Sequence, residues 1–98
     1  MNFVLRLNGR LSNLTADDEL HAARRAVMAL LLDEEDAGRG EAAYGRDYPV
    51  RVVATDEVLR SEADSATLLM ERGRDVIVDV AAQPGRGAVT ARWLSDRD

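Results

Sequence analysis

Five side chains with binding chemistry crowd into one stretch, "GRGEAAYGRDYPVR", Gly38–Arg51: Arg39, Tyr44, Arg46, Tyr48 and Arg51. A guanidinium is a planar fork that grips phosphate and stacks on flat rings. A phenol ring gives a base a π-face, and each base stacked on an aromatic contributes roughly 1–3 kcal/mol. Interleaved, the two residue types suit a single strand of nucleic acid. The competing reading is an ordinary loop whose tyrosines are satisfied locally. Arg6, Arg10 and Arg51 fall on the non-core faces of their strands, where they would track phosphates or simply be solvated. Arg86, at the tip of the turn "QPGRG", would either clamp a backbone or keep the turn soluble.

Other chemistry has little support. The chain has 98 residues and no cysteine, which removes disulfides, a thiol nucleophile and the usual structural zinc sites. A single histidine, His21, removes most histidine-based metal and triad arrangements. Ser12, Ser61 and Ser65 lie in no recognisable nucleophile motif, and the two "GRG" segments lack phosphate-loop spacing. The acidic clusters Asp17–Glu19 and Asp33–Asp36 lack the glycine-centred spacing of a calcium loop. These absences lead us to expect no enzyme, no cofactor and no metal. With no apolar run of the ~18 residues a span needs and no leader pattern, the expectation is a cytoplasmic protein off the membrane.

Charge points two ways. The formal net charge is −5, which argues against long-range attraction to a polyanion. Yet all thirteen basic residues are arginine. The segments 1–11, 39–53 and 84–97 are locally basic or neutral, so an acidic body could carry a basic face.

The elements that must position these residues follow from periodicity. "NFVLRLNGRL" alternates Phe3, Leu5 and Leu7 against Val4, Arg6 and Asn8, a half-buried strand, and Gly9 suggests a bulge or a close backbone approach. Tyr48–Thr55 is a second strand with Pro49 near its start. Arg74–Ala82 and Ala88–Ser95 form a hairpin across "QPGRG", and Phe3 and Trp93 fall on core faces. Residues 61–72 read as a helix: Ser61 caps, Gly73 stops it, and Ala63, Ala66, Leu69 and Met70 share a face. Residues 16–37 are ambiguous. Propensity and a Thr15 cap favour a helix, whereas "RAVMALLLD" suits a strand buried on both faces. The helical choice gives an α+β domain ordered β-α-β-α-β-β.

Taken in order, these features resemble the bacterial single-stranded DNA-binding protein family, and in length its small primosomal type. The resemblance rests on Gly9-Arg10-Leu11 as a bend after the first strand, the long loop Glu34–Asp47, and the helix–glycine–strand joint Ser61–Val80. It spans nearly the whole chain. It implies a mostly β, five-stranded OB-fold barrel in one domain, with one helix between strands three and four plugging an end. It turns Ala26–Asp33 into a strand, with residues 15–22 as lead-in. It implies binding of single-stranded DNA (or RNA) in replication, repair or recombination, with a replication or repair protein as partner. It also implies a homodimer or homotetramer paired through the edge of residues 2–8. Where the family carries a stacking tryptophan at the end of its third strand, this chain has Ala54. A second class of function therefore stands beside the first: a protein-interaction or regulatory module, such as a phage or mobile element encodes, on an OB-like or α+β scaffold.

Overall fold

The computed structural model describes residues 1–56, 61–85 and 87–94. Alternation sets the strands: β1 (Asn2–Leu7), β2 (Arg10–Thr15), β3 (Arg46–Thr55), β4 (Arg74–Val80) and β5 (Val89–Trp93) form one antiparallel sheet in the order β2-β1-β3-β4-β5. Asn8 and Gly9 join β1 to β2 with φ of 52° and 77°. Two successive positive φ values are what a tight two-residue hairpin needs, so Gly9 serves a turn and not a bulge. That hairpin supplies a strand the periodicity reading missed.

The ambiguous segment is helical. α1 (Glu19–Asp36) buries Ala22, Ala23, Val27 and Leu31 at helical spacing, while Met28 and Leu32 stay 40% and 63% exposed. A strand over Ala26–Asp33 buried on both faces is thereby excluded. Once β2 is β1's partner on that side, nothing in the sheet calls for residues 26–33, and helix propensity prevails. The cap is Asp18, not Thr15: its carboxylate accepts from the His21 N–H at 2.8 Å, and Thr15 ends β2. A short α2 (Gly40–Ala43) follows, occupying part of the expected long loop.

The barrel expectation fails for the same reason. β2 and β5 are the two ends of the strand order and do not pair, so the sheet is open. α1 covers one face over a core of Phe3, Leu5, Val50, Val52, Val76 and Val78. α3 (Glu62–Arg72) lies between β3 and β4 in the chain and packs on the second face, where Leu68 and Leu69 meet Val4 and Val53. It plugs no barrel end. Its Ser61 cap is present, the hydroxyl accepting from the Asp64 N–H at 3.1 Å, and Gly73 ends it. Its inward residues are Ser65, Leu68 and Leu69; Met70, placed inward by periodicity, is 73% exposed. The fold is thus α+β, ordered β-β-α-α-β-α-β-β. No helix among the described residues is long and apolar enough to cross a membrane.

Candidate interaction surface

Of the eight residues singled out for single-strand binding, the structure describes seven and distributes them over separate surfaces. Arg39, Arg46 and Tyr48 line one cleft of about 400 Å³, with Leu30 and Glu34 on its α1 side. Tyr44 lines a neighbouring cleft beside Glu35 and Pro84. Arg6 and Arg51 line a groove against α3, with Thr67 and Met70. Arg10 pairs with Leu7 and so shares the α1 face, whereas Arg6 and Arg51 pair with each other on the opposite face. A single phosphate track through Arg6, Arg10 and Arg51 is therefore broken across the sheet. Arg86 lies outside the described residues.

Most of these groups have local work. Tyr48 is buried, its hydroxyl donating to the Ala43 carbonyl at 2.6 Å, and the Arg46 guanidinium lies 5.1 Å from its ring centre. Burial pushes the Tyr48 phenol pKa up. Half-buried Tyr44 donates to Glu35 at 2.7 Å, and this bond raises its pKa. Arg39 pairs with Glu34 at 2.8 Å, which holds the Glu34 carboxyl below its usual range. Arg51 donates Nε–H to the Leu69 carbonyl at 2.8 Å and pairs with Asp75 at 3.1 Å, tying the α3 C-terminus to β3 and β4. Phe3 is buried as expected, and Trp93 is half-buried with the Arg74 guanidinium 3.8 Å from its ring. All four aromatics are thus committed to the core or to a neighbouring side chain, and they form no stacking row.

A different surface remains. Among the described residues, α3 packs on the second face mainly over β2, β1 and part of β3, and no helix lies over the remainder of that face on β3, β4 and β5. The register puts Pro49 beside Ile77 and Ile77 beside Arg92. Leu94, 52% exposed, bonds through its N–H to the Asp75 carbonyl at 3.0 Å and extends the apolar line. On one side of that line stands the Arg51–Asp75 pair. On the other, Arg92 pairs with Asp79 at 2.9 Å, and Asp79 lies beside Asp47. The Arg92 bond holds the Asp79 carboxyl low, and hydrogen bonding to Asp79 pushes Asp47 up. This is an apolar centre with a charged rim, the anatomy of a protein interface. Ile77 and Asp79 were readable as the alternates of Val76, Val78 and Val80, but nothing local marked them as uncovered.

No family model, no curated protein and no solved structure matches the chain. The geometry alone carries the functional argument.

Proposed function

We propose that this chain is a non-catalytic protein-interaction module that binds its partner across the helix-free face of β3, β4 and β5. The observation that carries this reading is the apolar line Pro49–Ile77–Leu94 between two charge clusters, on the part of the second face that α3 does not cover. Three aspartates against two arginines make the rim acidic, so the partner brings basic groups around an apolar contact. The test is retention of proteins from the native cell on immobilised wild-type chain and on Ile77→Lys. A retained protein is then purified and titrated by calorimetry. The reading expects one that binds the wild type and loses about tenfold or more in affinity to Ile77→Lys, the loss typical of a central anchor. Equal affinity for both chains overturns it.

A second reading, binding of single-stranded DNA or RNA, rests on a specific juxtaposition. Arg6 makes no ion pair among the described residues and stands beside Arg51 at the α3 groove. Phosphate contact there would give weak oligo-dT binding that declines as salt rises. Arg6→Ala should then flatten the salt slope by about one unit. Absence of binding to oligo-dT or oligo-rU at low ionic strength removes this reading and leaves the first intact.

A further inference from the structure

The expected assembly edge, residues 2–8, is closed: β1 is bonded to β2 on one side and to β3 on the other. Among the described residues the open edges belong to β2 and β5, and they differ. On β2, Arg10, Ser12, Asn13 and Thr15 are exposed polar residues, and Arg25 donates to the terminal Thr15 carbonyl. On β5, Val89, Ala91 and Trp93 are half-buried residues whose side chains join the α1-side core.

The hydrogen bonding of β5 fixes which of its backbone groups are open. The Ala88 carbonyl accepts from Ala81 at 2.8 Å, and the Leu94 N–H donates to Asp75 at 3.0 Å. Bonding alternates along an antiparallel strand, so residues 88, 90, 92 and 94 turn toward β4 while Val89, Ala91 and Trp93 turn outward. Arg24 of α1 donates Nε–H to the Val89 carbonyl at 2.9 Å. The Ala91 amide and carbonyl have no partner among the described residues. Arg24, Met28 and Leu32 are spaced by four on α1, so the exposed Met28 and Leu32 continue the flank whose first member reaches this edge.

We propose that a second copy of this chain pairs with it along β5, antiparallel, about a two-fold axis at Ala91. Three features fit a self-partner. The outward set is symmetric about its centre: Ala91 meets Ala91 of the partner, and Val89 meets the partner's Trp93. A two-fold normal to the sheet keeps both α1 helices on one face and runs them antiparallel. Arg24 in the first half of each helix then faces Asp36 in the second half of the other, with Met28 and Leu32 of the same flank between them. An isologous contact of this kind closes at two copies, whereas an unpaired apolar edge is a liability.

Sedimentation velocity on the full chain, run across a concentration series, tests this. Wild type should sediment as a dimer. Ala91→Pro, which removes an outward N–H without touching the β4 bonds, should raise the dimer dissociation constant about tenfold or more. Leu32→Glu should do the same, and because Leu32 is 63% exposed this variant keeps the test valid if the proline variant does not fold. Ile77→Lys should leave the dimer intact, which separates this interface from the partner-binding face. A wild-type monomer at every concentration, or a dimer that survives Leu32→Glu, overturns the proposal.

Discussion

Truncating Leu69 to alanine tests whether α3 is anchored on the second face of the sheet. Leu69 is 1% exposed and packs in a small cluster with Val4, Val53 and Leu68, with Leu11 at its margin. Buried leucine-to-alanine changes cost about 2–5 kcal/mol, through lost transfer energy and a residual cavity. A helix laid on a sheet can settle partway into the gap, so we expect the lower part of that range, about 2–3 kcal/mol. At a urea m-value of roughly 1–1.5 kcal/mol/M, the unfolding midpoint should fall by about 2 M. The internal control is the adjacent residue. Met70, 73% exposed, should change stability by no more than about 0.5 kcal/mol when replaced by alanine. Urea unfolding followed by circular dichroism reads both. Equal midpoints for Leu69→Ala and Met70→Ala would refute the packing of α3 and with it the division of the second face into covered and open halves.

Three further outcomes follow from single contacts. A Cβ at Gly73 would lie 2.8 Å from Arg51 Nε and press on the Leu69 carbonyl, so Gly73→Ala should cost about 1–3 kcal/mol by denaturant melting. Asp18→Ala should cost about 1 kcal/mol by loss of the α1 cap, read the same way. Tyr48→Phe should cost about 1 kcal/mol at neutral pH, because the Ala43 carbonyl loses its donor. Its pH dependence has a fixed sign. The folded Tyr48 pKa lies above the free value of 10.0, so its neutral form contributes stability that is present below pH 10 and lost as pH rises through the folded pKa. Wild type should therefore lose more stability than Tyr48→Phe through that alkaline window.

Much of the sheet was legible because period-two alternation in "NFVLRL", "YPVRVVAT" and "RDVIVDV" is a direct imprint of one buried face. The Ser61 cap and the Gly73 stop were legible for the same local reason. β2 was not: "RLSNLT" has too few apolar residues to announce a strand, and only its pairing with β1 makes it one. With β2 unread, the only second strand on offer was the one the family resemblance implies at residues 26–33, which belong to α1. The binding residues were hidden by a related limit. Tyr48 and Arg51 have the chemistry of a nucleic-acid contact, but burial and the Leu69 carbonyl decide their use, and neither is local. Conversely, Pro49, Ile77 and Leu94 carry no chemical signature, and only the place where α3 stops makes them candidates.

The most direct measurement of the proposed function places a photoreactive amino acid at Ile77 or at Met70 and irradiates cells producing the protein. Ile77 lies at the centre of the open face and Met70 at the α3 groove. A discrete protein adduct at position 77, absent at position 70, is the result expected. Adducts confined to position 70, or no adduct at position 77, would contradict the assignment of the β3–β4–β5 face as the binding surface.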